Sequence, residues 1–122
     1  MVGRKKTGAL DFGYLENYAD GDMAVVEEVL NLFREQAGLW LRDIDPHDPG
    51  EGWRDAIHSL KGTALGVGAA SLAQACLTAE KMIGHAQKDR AVALIRVRDA
   101  VEAVLADVAI YQDEKAIQSL RD

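Results

Sequence analysis

The spacing of apolar residues is the feature that most constrains the fold of this chain. In four segments, apolar side chains recur at alternating steps of three and four residues, which is the period of one face of an α-helix. The four stripes are Val26, Leu30, Phe33, Ala37, Trp40, Leu41 and Ile44; Trp53, Ile57, Leu60, Ala64 and Val67; Leu72, Cys76, Ala79 and Ile83; and Leu94, Val97, Val101, Val104, Val108 and Tyr111. Amphipathic helices with short connections bury such stripes against one another. The pattern therefore predicts an all-α fold, an antiparallel up-down four-helix bundle, with a short extra N-terminal helix in "LDFGYLENYA".

Helix-breaking residues separate the four segments. The turn "DGD" precedes the first long helix, and Asp22 is placed to cap that helix. The two prolines of "DPHDPG" end it, and Asp48, Pro49 and Glu51 match an N-cap, a first-turn proline and a capping-box glutamate for the next helix. "GVGA" ends that helix, and Gly84 is the expected C-terminal stop of the following one.

Length, charge and cysteine content narrow the class of protein. The 122 residues suffice for one domain, which we expect at residues 9–122 behind a basic flexible tail at 1–8. The net charge of −6 argues against nucleic-acid binding, which requires clustered cations. No apolar run approaches a membrane span, and no apolar stretch follows the basic start as it does in a secretory signal. A single cysteine excludes an internal disulfide, so we expect a cytoplasmic protein.

A second stripe runs along the helix that contains "AIHSLKGTALGVGA". When the stripe from Trp53 to Val67 faces the core, Lys61 lies about 80° from it and Leu65 about 120°. His58 lies at about 140° and Gly62 at about 180°, both toward solvent. Periodicity alone therefore predicts that His58 is a surface residue.

The residue types in this second stripe suit phosphoryl transfer between proteins. A neutral imidazole is a good nucleophile near neutral pH, and a cation one helical turn away can stabilise an anionic phosphoryl group. Glycine in a helix interior costs about 1 kcal/mol relative to alanine, so Gly62 calls for a compensating role. An open path for an incoming partner beside His58 is such a role.

Other interpretations of the polar residues are less specific. His47 and His85 have no second ligand at metal spacing, and "EKMIGH" separates Glu80 from His85 by five residues, so we expect no metal site. Cys76 lies in an apolar stripe and is expected to be inert core. "GVGA" has no preceding strand and does not match a phosphate loop, so we expect no ATP-binding segment and no enzyme activity of this chain alone.

In its motif and its first long helix, the chain resembles the histidine-containing phosphotransfer (HPt) domains of phosphorelays. "HSLKG" followed by T-A-x-x-x-G-A-x-x-L-A-x-A-C-x-x-x-E is similar to the motif of that family. "YLENYADGDMAVVEEVLNLFREQA" resembles its first long helix, so the resemblance covers about residues 10 to 115. It implies a four-helix bundle in which His58 is phosphorylated, Lys61 stabilises the phosphoryl group, Gly62 leaves clearance and Glu80 orients the histidine ring. The chain departs from members with an arginine about one turn past this acceptor, because Gly84 stands there.

The resemblance also implies a partner. The domain would accept a phosphoryl group from the receiver domain of a hybrid histidine kinase and pass it to a response regulator, with Mg²⁺ and the acidic pocket on the receiver and no cofactor on this chain. Leu65 and Leu77 lie off the core stripes, where they form either part of a receiver-docking surface or partly buried core. The alternative function is an HPt-fold module that docks and sequesters a receiver without chemistry. We expect a monomer.

Overall fold

The computed structural model describes residues 5–121, and this part of the chain is helical, with no strand. The helices are α1 (Phe12–Tyr18), α2 (Met23–Asp43), α3 (Glu51–Val67), α4 (Ala70–Glu80) and α5 (Gln87–Arg121). None of them is long and apolar enough to cross a membrane.

Helices α2 to α5 form the antiparallel up-down bundle that the sequence predicts. Each packs on its neighbours in the cyclic order α2, α3, α4, α5, and α3 with α4 is the most extensive pair. The predicted stripes of α3 and α5 are buried throughout. In α2, Trp40 and Leu41 are partly buried at the edge of the core, while the rest of its stripe is fully buried.

Helix α1 and the segment before it close one end of the bundle. The backbone N–H of Asp11 donates to the carbonyl of Gly68 at 2.9 Å, and the Phe12 ring stacks on Tyr111 with ring centroids 4.2 Å apart. The buried carboxylate of Asp107 on α5 accepts hydrogen bonds from the backbone N–H and hydroxyl of Thr7 at 2.8–2.9 Å. The predicted tail lies outside the described residues at positions 1–4, whereas Thr7 is anchored to α5.

Two of the predicted helix boundaries are confirmed. The Asp22 carboxylate caps α2 by accepting from the backbone N–H groups of Ala24 and Val25 at 3.1 and 3.3 Å. At the other boundary, Gly68 ends α3 in the left-handed conformation, with φ of +84°. The next N–H, of Ala69, donates back to the carbonyl of Ala64 at 2.8 Å, so the last turn of α3 closes as in other glycine-terminated helices.

The predicted capping box at the start of α3 is wrong. The helix begins after Gly50, and no side chain caps it. The Asp48 carboxylate instead accepts from the Gly50 N–H at 2.9 Å, a turn that aspartate forms readily within a loop. This carboxylate also lies so close to Gly52 that a Cβ there would collide with it. Asp48 therefore shapes the loop rather than the helix start, and Glu51 has no capping box to complete.

The predicted end of α4 is also wrong. The helix ends at Glu80, because the N–H groups of Lys81, Met82 and Ile83 each donate to the carbonyl three residues back instead of four. Ile83 consequently leaves the stripe and is exposed, while Met82 packs against the core in its place. Gly84 has φ of +77°, but its N–H donates across to the carbonyl of Pro49 at 3.2 Å and does not cap α4.

Candidate functional site at the α3–α4 groove

The imidazole of His58 is exposed to solvent on the surface of α3. Its side chain is 69% exposed, while Ile57 and Leu60, one and two residues away in sequence, are fully buried. Each residue of an α-helix is rotated by about 100° from the one before it, so His58 lies outside the buried stripe that contains Ile57 and Leu60. The structure confirms the prediction that His58 is a surface residue.

Lys61 and Glu80 lie beside the histidine and are both largely shielded from solvent. The Nζ atom of Lys61 lies 2.7 Å from Oε1 of Glu80, so the two side chains form a close ion pair. The same Oε1 lies 3.5 Å from Nδ1 of His58, which is the outer limit of a hydrogen bond. The Lys61 and Glu80 side chains are only 20% and 19% exposed. One carboxylate oxygen therefore faces both the cation and the imidazole.

Glu80 reaches this position because of where α4 ends. It follows Ala79, which is fully buried against α3, and it is the last residue of the helix. Helical side chains lean toward the N-terminus of their helix, and α4 is antiparallel to α3. The Glu80 side chain therefore leans along α3 in the direction of Lys61. Sequence reasoning placed Glu80 at the edge of its stripe, and the structure agrees.

Two glycines leave the surface beyond His58 open. A Cβ at Gly62 would have no atom within 4 Å apart from its own helix, so internal packing does not require glycine there. The same is true of Gly66, which lies one further turn along the same face of α3. Sequence reasoning missed Gly66, although the four-residue step from His58 to Gly62 to Gly66 was a usable signal.

Two leucines lie on the exposed surface around this site. Leu65 on α3 is 59% exposed and Leu77 on α4 is 36% exposed. Neither belongs to the buried core, so the interpretation of these leucines as core residues is not supported. Tyr14 of α1 and Leu65 also line a shallow groove beside the α3–α4 turn.

The remaining polar candidates are not part of this arrangement. His47 and His85 are exposed, and Nδ1 of His47 lies 3.0 Å from a carboxylate oxygen of Asp45. Cys76 is fully buried, and burial raises the pKa of its thiol to about 12, with the nearby Glu80 charge adding to the effect. Between residues 5 and 121, no group of three or more His, Cys, Asp or Glu side chains is arranged to hold a metal ion.

The chain is similar to known proteins in both sequence and structure. The family model for the Hpt domain matches residues 19–107. The crystal structure of the histidine phosphotransferase ShpA from Caulobacter crescentus is similar to this structure, with a TM-score of 0.75 and 49% sequence identity over 93% of this chain and 99% of that chain. A comparison with curated protein sequences gives no match. The chain belongs to the histidine-containing phosphotransfer family and is a phosphoryl carrier of two-component phosphorelays.

Proposed function

We propose that His58 accepts the phosphoryl group from a receiver-domain aspartate and passes it to a response-regulator aspartate. The observation that carries this proposal is an exposed imidazole whose Nδ1 faces a shielded carboxylate. Since Nδ1 is turned toward Glu80 at 3.5 Å, Nε2 is the nitrogen left for an incoming group.

The transfer needs only one bond to form and one to break. The Nε2 lone pair attacks phosphorus, the bond from phosphorus to the aspartyl oxygen breaks, and the aspartate leaves as a carboxylate with the electron pair. The Nδ1 proton stays on the ring, which gains positive charge. The Glu80 carboxylate stabilises this charge, so the ground state of the neutral ring gains less from Glu80 than the phosphorylated ring does.

Lys61 has a second task in this proposal. Its ammonium carries three donors, and it forms an ion pair with Glu80 in the unphosphorylated protein. The remaining donors are available to an oxygen of the phosphoryl group, one helical turn from His58. A lysine held in place by Glu80 pays less conformational entropy on phosphorylation than a free surface lysine does.

The exposed face around His58 supplies docking rather than catalysis. Gly62 gives clearance, and Leu65 and Leu77 are the apolar contacts that we propose for the receiver surface. The receiver then supplies the acidic pocket and Mg²⁺, and this chain needs no cofactor of its own. The cytoplasmic location and the monomeric state of the protein stay predictions.

The test is intact-mass analysis after mixing the protein with a panel of receiver domains phosphorylated by acetyl phosphate. We expect one added phosphoryl group that is acid-labile and alkali-stable. His58→Gln abolishes the addition, whereas His47→Gln and His85→Gln retain it, and all three keep the helical circular dichroism of the parent. Binding of receivers without any transfer would instead support the sequestering module, and transfer at full rate to His58→Gln would place the nucleophile elsewhere.

A further inference from the structure

The buried indole of Trp53 makes a hydrogen bond that joins α3 to the end of α4. Its Nε1–H donates to the carbonyl of Ala79 at 2.8 Å, and the Trp53 side chain is fully buried. Ala79 lies in the last turn of α4, and its carbonyl also accepts from the backbone N–H of Met82 at 3.1 Å. The indole bond therefore satisfies a buried N–H of α3 on a carbonyl at the point where α4 ends.

This bond lies next to the candidate site in both helices. Ala79 directly precedes Glu80, and Trp53 lies five residues before His58 on α3. The α3–α4 hairpin is closed at its other end by the turn at Gly68. A hydrogen bond at the open end fixes how far α4 is displaced along α3, and the Glu80 carboxylate moves with α4.

We propose that Trp53 is a positioning residue, which holds the Glu80 carboxylate at His58 and Lys61 through its hydrogen bond to Ala79. The distance from Glu80 Oε1 to His58 Nδ1 is already at the limit of a hydrogen bond, so a small shift of α4 removes the contact. The effect of Trp53 on phosphoryl transfer rests on the proposed function. The effect of Trp53 on the ring of His58 is independent of that function, because it can be measured in the unphosphorylated protein.

The first test measures the ring of His58 in the unphosphorylated protein. Nitrogen-15 chemical shifts report which ring nitrogen carries the proton. We expect the Nδ1–H tautomer to predominate, and Trp53→Phe, which keeps a ring but removes the N–H, to lower its share. Trp40→Phe is the matched control, because it makes the same Trp→Phe change on α2, where the Trp40 ring packs against Phe33 with centroids 5.4 Å apart. Equal tautomer shares in Trp53→Phe and the parent would overturn the proposal.

The second test separates positioning from simple stabilisation. In the parent background we expect Trp53→Phe to slow transfer from a phosphorylated receiver about fivefold. This is the change in an equilibrium or rate constant that corresponds to the loss of one ordinary hydrogen bond. In a Glu80→Gln background we expect no further slowing, because the two residues act through one contact. Equal slowing in both backgrounds would show that Trp53 does not act through Glu80, and the proposal would fail.

The outcomes remain distinguishable if other steps fail. If Trp53→Phe does not fold, benzothienylalanine at position 53 keeps the shape of the ring system and removes only the N–H, and the same tautomer measurement applies. If no receiver phosphorylates the parent protein, the proposed function fails, while the tautomer shares still decide whether Trp53 positions Glu80.

Discussion

Replacing Gly62 with alanine is expected to change stability and activity in opposite directions. Gly62 lies in the interior of α3 on its exposed face, and an added Cβ would meet no atom within 4 Å apart from its own helix. Without a clash, the substitution gains the difference in helix propensity, about 1 kcal/mol of unfolding free energy. For a domain of this length the melting temperature rises by roughly 3 to 6 °C.

The opposite effect is expected in phosphoryl transfer. A side chain at Gly62 projects on the same face as His58, one turn away, where a receiver has to approach. Gly62→Ala therefore slows transfer and weakens receiver binding, and Gly62→Gln does so more strongly because it is longer. Gly38 provides the matched control, since it lies inside α2, is exposed and also has open space around its Cβ position.

Urea unfolding and transfer kinetics on the same preparations test this prediction. Gly38→Ala should be stabilised to a similar degree, with transfer unchanged. Loss of stability in Gly62→Ala would refute the claim that its surroundings are open. A stabilised Gly62→Gln with unchanged transfer and unchanged receiver affinity would refute the clearance role of this glycine.

Two further predictions concern buried groups that are not part of the site. Asp107→Asn should lower the unfolding free energy by about 2 kcal/mol in urea titrations, because an NH₂ group replaces one of the carboxylate oxygens that accept from Thr7. Asp99→Asn, at an exposed position of the same helix, is the control and should change the unfolding free energy little. An equal loss in both variants would contradict the role of the buried carboxylate. Stability should also fall as the pH rises above about 9, because burial raises the pKa of Cys76 from 9.0 to about 12 and the unfolded chain ionises its thiol first. Cys76→Ala should reduce the loss of unfolding free energy between pH 8 and pH 10. The remaining loss should include a contribution from Tyr111, because burial raises the pKa of its hydroxyl from 10.0 to about 12. An unchanged loss in Cys76→Ala would show that Cys76 does not contribute.

The helical core was predictable because its signal is local. The period of apolar residues within one segment decides which side of that helix is buried, whatever its neighbours are. For the same reason, the wheel of α3 placed His58 on the surface without any knowledge of α4. The position of Glu80 one residue past buried Ala79 followed from the same kind of pattern.

The helix ends were less predictable because several local interactions compete there. Asp48 can cap a helix or close a turn onto Gly50, and both use the same carboxylate. Gly84 can end a helix, but in the structure its backbone N–H donates to the carbonyl of Pro49, in the loop before α3. At Gly84 a contact with a distant segment decided the outcome, whereas at Asp48 a local turn onto Gly50 formed in place of the cap.

Polar contacts between helices were outside the reach of sequence reasoning. Trp53 was recognised as a core residue, but its partner, a backbone carbonyl, has no signature in the sequence. Buried Arg90 is a similar case, since its Nε donates to the carbonyl of Pro46 at 2.8 Å and another of its nitrogens contacts the carbonyl of His85. Such bonds form only when packing brings distant segments together.

The sequence by itself determined the number of bundle helices, the buried face of each and the exposure of His58, since these follow from periodicity along one helix. The tertiary structure decided that Lys61 and His58 share one oxygen of Glu80 and that Trp53 holds the end of α4. These features depend on how far α4 is displaced along α3, and that displacement is set by interlocking side chains and hydrogen bonds across the interface rather than by either helix alone.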